Sequence, residues 1–158
     1  MASSLTVVKG NLIAMGKAND FDIIVHGCNC FCTMGAGIAA QIAQQFPDAN
    51  LADAETVRGD PGKLGTYTIG MSGRLVILNA YTQYGTSNTG KDVFEYTAFE
   101  RALDKIASRF GKWRIGLPMI GMGLAGGDAE RIIPMLERFA DRMAQAGGSA
   151  TLVEYVQS

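Results

Sequence analysis

Between Ile23 and Ala40 the chain reads IIVHGCNCFCTMGAGIAA, and few architectures accommodate such a stretch. The apolar run Ile23, Ile24, Val25 predicts a buried strand. It ends on His26, the one histidine of the chain, passes Asn29 and enters a Gly-Ala-Gly turn at Gly35, Ala36 and Gly37. A helical pattern, IAAQIAQQF, follows at once. A strand that feeds a glycine-rich loop and then a helix start presents bare N–H groups at the positive end of the helix dipole. Glycine there lets an anion come close. No Lys-Ser/Thr pair follows the glycines, so this is not a P-loop, and the third glycine of GxGxxG is missing. The pattern points to a phosphate held through backbone alone.

The rest of the chain alternates strands with helices. Strands are predicted at Leu5–Lys9, Asp22–His26, Arg114–Met119 and Ala150–Val156, and a hairpin joins Gly65–Gly70 to Leu75–Ala80 through MSGR. One helix is expected over Ile38–Phe46, stopped by Pro47, and a polar connection with partial helix over Asp48–Gly62. Asn88-Thr89-Gly90 marks a loop before a longer helix, on which Phe94, Ala98, Leu103 and Ile106 recur at helical spacing. Asp128 reads as the N-cap of a last helix that runs to about Ala146, stops at Gly147-Gly148 and is kinked or shortened by Pro134. This order predicts an α/β layered sheet with one or more antiparallel pairs. No linker splits the chain, and its 158 residues are expected to form one domain.

A second glycine-rich loop, Gly121–Gly127, follows the apolar strand at Arg114–Met119. In open α/β sheets ligands sit outside the carboxyl ends of the strands, where both glycine loops are placed. Two facing sets of N–H groups suit a diphosphate better than a lone phosphate.

A net charge of −1 gives no sign of a nucleic-acid or membrane surface. The start MASSLTVV lacks the features of an export signal, and no apolar run is long enough to cross a bilayer, so a cytoplasmic chain is expected. His26, Cys28, Cys30 and Cys32 spell H-x-C-x-C-x-C. On an extended chain His26 and Cys32 would lie about 20 Å apart. Structural zinc sites use wider spacings, so three free thiols are the expectation and no metal site is assigned.

Together VVKGNL (7–12), IIVHGCN (23–29), MGAGIA (34–39) and LPMIGMGLAGGD (117–128) resemble a macro domain, the ADP-ribose-binding module, across nearly the whole chain. The resemblance implies a three-layer α/β/α sandwich on a mixed, mostly parallel sheet of about six strands, with ADP-ribose across its top. By the same resemblance Gly10, Asn11 and Leu12 border the adenine. Gly27, Cys28 and Asn29, with Met34, Gly35, Ala36, Gly37, Ile38 and Ala39, follow the diphosphate and distal ribose. Ile120, Gly121, Met122, Gly123, Leu124, Ala125 and Gly126 close over the diphosphate.

Many macro domains carry Asp where Asn11 stands, and an amide carbonyl accepts more weakly than a carboxylate. HGCNC is similar to the ADP-ribose-1″-phosphate phosphatase branch. The lysine that related hydrolases place after the middle strand has no counterpart in NAYTQYGTS (79–87).

The resemblance therefore implies a phosphatase that converts ADP-ribose 1″-phosphate to ADP-ribose, with no cofactor and with a monomer expected. Removal of ADP-ribose from protein, deacetylation of O-acetyl-ADP-ribose, and ligand binding without turnover are the alternatives. His26 is the leading catalytic candidate, as base, acid or nucleophile, against a reading as a satisfied core histidine. Asn29 is a turn former or a partner of the distal ribose hydroxyls. Asp128 is a helix cap or a catalytic base. Residues Tyr81, Thr82, Gln83 and Tyr84 form either a solvated loop or a wall beside the distal ribose.

Overall fold

A computed structural model describes residues 3–86, 93–123 and 125–156. Its centre is a six-stranded sheet in the order β1-β6-β5-β2-β4-β3. The strands are β1 (Thr6–Gly10), β2 (Ile23–Cys28), β3 (Tyr67–Ser72), β4 (Leu75–Tyr81), β5 (Arg114–Leu117) and β6 (Ser149–Tyr155). Every neighbouring pair is parallel except β3 and β4, the expected hairpin. Gly73 takes its turn with φ +58°, a left-handed conformation suited to a two-residue connection.

Helices cover both faces. On one side α4 (Tyr96–Phe110) and α5 (Ala129–Ala146) bury Phe99, Ile106, Leu136 and Phe139 against Ile23, Val25, Leu78 and Ile115. On the other, α1 (Leu12–Lys17), α2 (Gly37–Gln45) and α3 (Pro47–Ala54) cover Ile24 and Ile77 with Leu12, Ile42 and Ala49. The result is the three-layer α/β/α sandwich on a mixed, mostly parallel sheet. Strand β2 is sandwiched between both helix layers, which is why it reads as a near-continuous apolar run rather than an alternation.

Several elements differ from expectation. Helix α1 lies outside the predicted elements; it begins at Leu12 because Asn11 caps it by accepting from the Ala14 N–H at 3.0 Å. Pro47 does not merely stop α2; it opens α3 at the first helical position, where its missing N–H costs nothing. Phe94 precedes α4 and bridges to Gln83, so its spacing to Ala98 is not helical phase. Helix α5 continues past Pro134, with Asp128 as its cap and Gly147 (φ +100°) ending it. The loop expected at Asn88–Gly90 lies outside the described residues. Among those residues no helix is long and apolar enough to cross a membrane.

Helix α3 closes the outer edge of the hairpin. Gly70 lies so near it that a Cβ there would sit 2.4 Å from Ala49 Cα, and Asp48 Oδ2 accepts from the Met71 N–H at 2.8 Å. The side of the sheet that carries α3 is thereby fixed to β3 and β4, and with it the polar groups that β2 and β4 turn toward that side.

Candidate active site

A cleft of about 530 Å³ opens at the carboxyl ends of β2, β4 and β5. The first wall is Gly27, Cys28, Asn29 and Thr33, then Gly35 to Ala39 at the start of α2. Ala36 occupies the N-cap of α2 and supplies no side-chain hydrogen bond, so the first-turn N–H groups are left to whatever enters the cleft. Gly37 needs φ +57°, and a Cβ on Gly35 or Gly37 would meet nothing within 4 Å, so both border open space.

The facing wall is Pro118, Met119, Ile120, Gly121, Gly123 and Ala125. This loop is tied by its own backbone: Gly127 N donates to Gly121 O at 2.7 Å, and Gly126 N to Gly123 O at 3.0 Å. Phe94 holds it from behind. Gly121 (φ +76°) would drive a Cβ to 2.5 Å from the Phe94 ring. The third side comes from the end of β4, with Thr82, Gln83 and Thr86. No acidic, basic or imidazole side chain is among the described residues that line the cleft. What it offers a ligand is backbone N–H groups, small side chains and neutral donors.

The two glycine loops thus meet as expected, but not every residue expected beside a ligand lines this cleft. Gly10, Asn11 and Leu12 do not: the Asn11 carbonyl is used as a cap, and Leu12 is in the core. Met34 is also a core residue. Met122 and Gly126 belong to the second loop without lining the cleft, and Leu124 lies outside the described residues. Thr33, Thr86, Pro118 and Met119 line it although sequence reasoning did not single them out as ligand contacts. Of residues 81–84, read as a solvated loop or a wall of the site, Thr82 and Gln83 line the cleft. Tyr81 is buried instead, and the Tyr84 hydroxyl donates to Gly59 O at 2.9 Å.

His26 is 0% exposed and does not line the cleft. Strand alternation explains this. Its neighbour Gly27 faces the cleft with Thr82 and Ile120, so His26 faces α3. Its Nε2 lies 2.6 Å from Asn79 Oδ1. The Asn79 amide nitrogen donates to Ala49 O at 2.9 Å and to Thr68 Oγ1 at 3.0 Å, so Oδ1 accepts and the histidine proton is on Nε2. Burial pulls the imidazole down to about 4, against the raising effect of the Asn79 hydrogen bond. This is a neutral histidine whose donor is already spent.

The network continues beneath the site. The Tyr81 hydroxyl donates to buried Asp53 at 2.8 Å and lies 3.0 Å from Thr68 Oγ1. The cysteines diverge: Cys28 Sγ lies 3.8 Å from His26 Nδ1, Cys30 Sγ reaches Gln83 O, and Cys32 Sγ packs on Thr56. Burial raises the Cys28 thiol well above its ordinary value and pushes Cys30 up to about 11. Both are neutral thiols at physiological pH.

Asn29 uses its amide within the loop. Oδ1 accepts from Phe31 N at 2.8 Å, and Nδ2 donates to Thr33 O and Oγ1 at 3.0 and 2.8 Å. It lines the cleft while shaping the turn. Asp128 is exposed and accepts from Glu130 N at 2.9 Å as the α5 cap, and its own N–H donates to the Tyr96 hydroxyl.

Residues 25–136 match the sequence profile of the Macro domain family. A phage T4 protein described as an uncharacterized 17.5 kDa protein of the tk-vs intergenic region is 32% identical, over 86% of this chain and 90% of its own. The Saccharomyces cerevisiae ADP-ribose 1″-phosphate phosphatase is 24% identical, over 90% and 96%. Among solved structures, Thermosipho africanus DarTG in complex with ADP-ribose superposes with a TM-score of 0.73 at 17% identity, covering 98% of this chain and 42% of that one. At that identity the likeness is one of fold.

Proposed function

The chain belongs to the Macro domain family, and from that premise we propose that its cleft holds ADP-ribose and that the protein removes the phosphate from ADP-ribose 1″-phosphate. The observation that supports this most is the meeting of the uncapped α2 start and the 121–127 glycine loop across one cleft. Oriented N–H groups on two sides match a diphosphate in geometry and sign. The yeast relative and the HGCN stretch at 26–29 support the finer assignment.

In this reaction water attacks phosphorus, the bond from phosphorus to the anomeric oxygen breaks, and that oxygen takes up a proton. ADP-ribose and inorganic phosphate result. The leaving oxygen belongs to a hemiacetal and is more acidic than an ordinary alcohol, so it needs less help from a general acid. The protein's contribution is positioning together with fixed dipoles on the phosphoryl oxygens. His26 acts in this reading as a supporting residue, through Cys28 and Asn79. Asp128, just past the second loop, caps α5 and does not line the cleft, so a part for it in ordering the attacking water requires the second loop to bring it closer to a bound ligand.

One observation favours a second reading. The absence of an acid or base among the described cleft residues suits a module that binds ADP-ribose without turnover. Calorimetric titration with ADP-ribose, beside phosphate release from ADP-ribose 1″-phosphate, separates the two. Binding with turnover is the expected result. Binding without phosphate release leaves the second reading, and absence of both overturns the assignment of the cleft.

A further inference from the structure

Among the described residues, Thr82 Oγ1 is the buried side-chain oxygen or nitrogen with no hydrogen-bond partner. Its backbone is held from both sides: Thr82 N donates to Cys28 O at 3.2 Å, and Glu95 N donates to Thr82 O at 2.8 Å. The residue is 1% exposed yet lines the cleft. Other buried polar side chains near it are fully engaged, as the His26, Asn79 and Tyr81 contacts show. A buried hydroxyl without a partner forfeits the hydration it had in the unfolded chain, and valine would fill the same volume without that loss. The hydroxyl therefore calls for an acceptor that the described protein groups do not supply.

The geometry says where that acceptor would come from. Above Gly27, the point a Cβ would occupy lies 2.8 Å from Thr82 Oγ1 and 3.0 Å from Ile120 Cγ2. The threonine hydroxyl and the isoleucine methyl thus both border the space over the bare glycine, on the floor between the two loops. Ile120 belongs to the second loop, so a ligand that parts the loops and displaces this methyl uncovers the hydroxyl. The strand end that carries Thr82 forms a different side of the cleft from the N–H groups of α2 and of residues 121–127. Those N–H groups serve the diphosphate, which leaves the Thr82 side for the sugar end.

We infer that Thr82 is a positioning residue whose hydroxyl donates to an oxygen at the sugar end of the ligand once Ile120 has moved aside. The inference rests on the reading of the cleft as an ADP-ribose site. It is tested by titrating the wild type, Thr82→Val and Thr82→Ser with ADP-ribose and with ADP, and by recording the unliganded melting temperature of each. The expected result is an affinity for ADP-ribose about tenfold lower in T82V, with ADP binding unchanged and T82S close to wild type. Unliganded T82V should melt no lower than wild type, since it loses an unpartnered hydroxyl. Retained ADP-ribose affinity in T82V overturns the inference, as does an equal loss for ADP or a lowered melting temperature without ligand. A wild type that fails to bind ADP-ribose overturns instead the reading of the cleft, and this inference with it.

Discussion

His26 donates its Nε2 proton to Asn79 Oδ1 across 2.6 Å, and that bond joins β2 to β4 on the face covered by α3, beneath the cleft. Asn79 passes the connection on to α3 through Ala49 O. The histidine that sits in the most suggestive sequence of the chain is thus a tie between layers. Two predictions follow from its burial in the neutral form.

The first concerns stability. The folded imidazole titrates at about 4 against 6.5 in the unfolded chain, so the unfolded state binds more protons between those values. Its contribution is complete above pH 6.5 and is lost as pH falls toward 4, amounting to about 3 kcal/mol. Urea unfolding of the wild type and His26→Gln from pH 4 to 8 checks this. The difference between them should be flat above pH 6.5 and shift against the wild type below it.

The second concerns rate. A histidine that stays neutral down to about 4 gives the pH profile of phosphate release no inflection near 6.5. Measured between pH 5 and 8, the wild-type profile should be free of one. A limb near 6.5 that vanishes in His26→Gln would return the imidazole to the chemistry.

Two glycines of the site should separate folding from binding. Gly121→Ala meets the Phe94 ring at 2.5 Å in a left-handed conformation and should cost about 3 kcal/mol in urea unfolding. Gly35→Ala meets nothing within 4 Å and should leave stability within about 0.5 kcal/mol. Its methyl enters the cleft, so calorimetry should show weaker ADP-ribose binding.

Asp128→Ala removes the cap of α5 and should lower stability by about 1 kcal/mol. If the carboxylate also orders water, phosphate release falls well beyond any change in ADP-ribose affinity. Asp128→Asn, which preserves capping, distinguishes the two: full turnover in that variant confines Asp128 to the helix end.

Much of this arrangement was legible in the sequence because glycine loops act through backbone, and backbone geometry is written in glycine spacing. Strands β2, β4 and β5 also stood out, since burial on both faces demands unbroken apolar runs. Helix α1 did not, and α3 showed only as the partial helix expected over Asp48–Gly62. Six residues opened by an asparagine resemble a turn, and Pro47 signals an end and a beginning equally well. The side on which His26 falls was written in the alternation of β2, where Ile24 shares its face and Val25 does not. Its partner Asn79 lies 53 residues away, and only the parallel register brings the two together.

The lack of charged side chains among the described cleft residues has a kinetic consequence. Under the proposed function an anion is recognised by neutral dipoles, whose field falls off within the cleft, and the chain as a whole carries only −1. Ligand capture should therefore proceed without electrostatic steering, and its on-rate should change little between dilute buffer and physiological salt. Discrimination among nucleotides is then exercised after encounter, in how long each one stays.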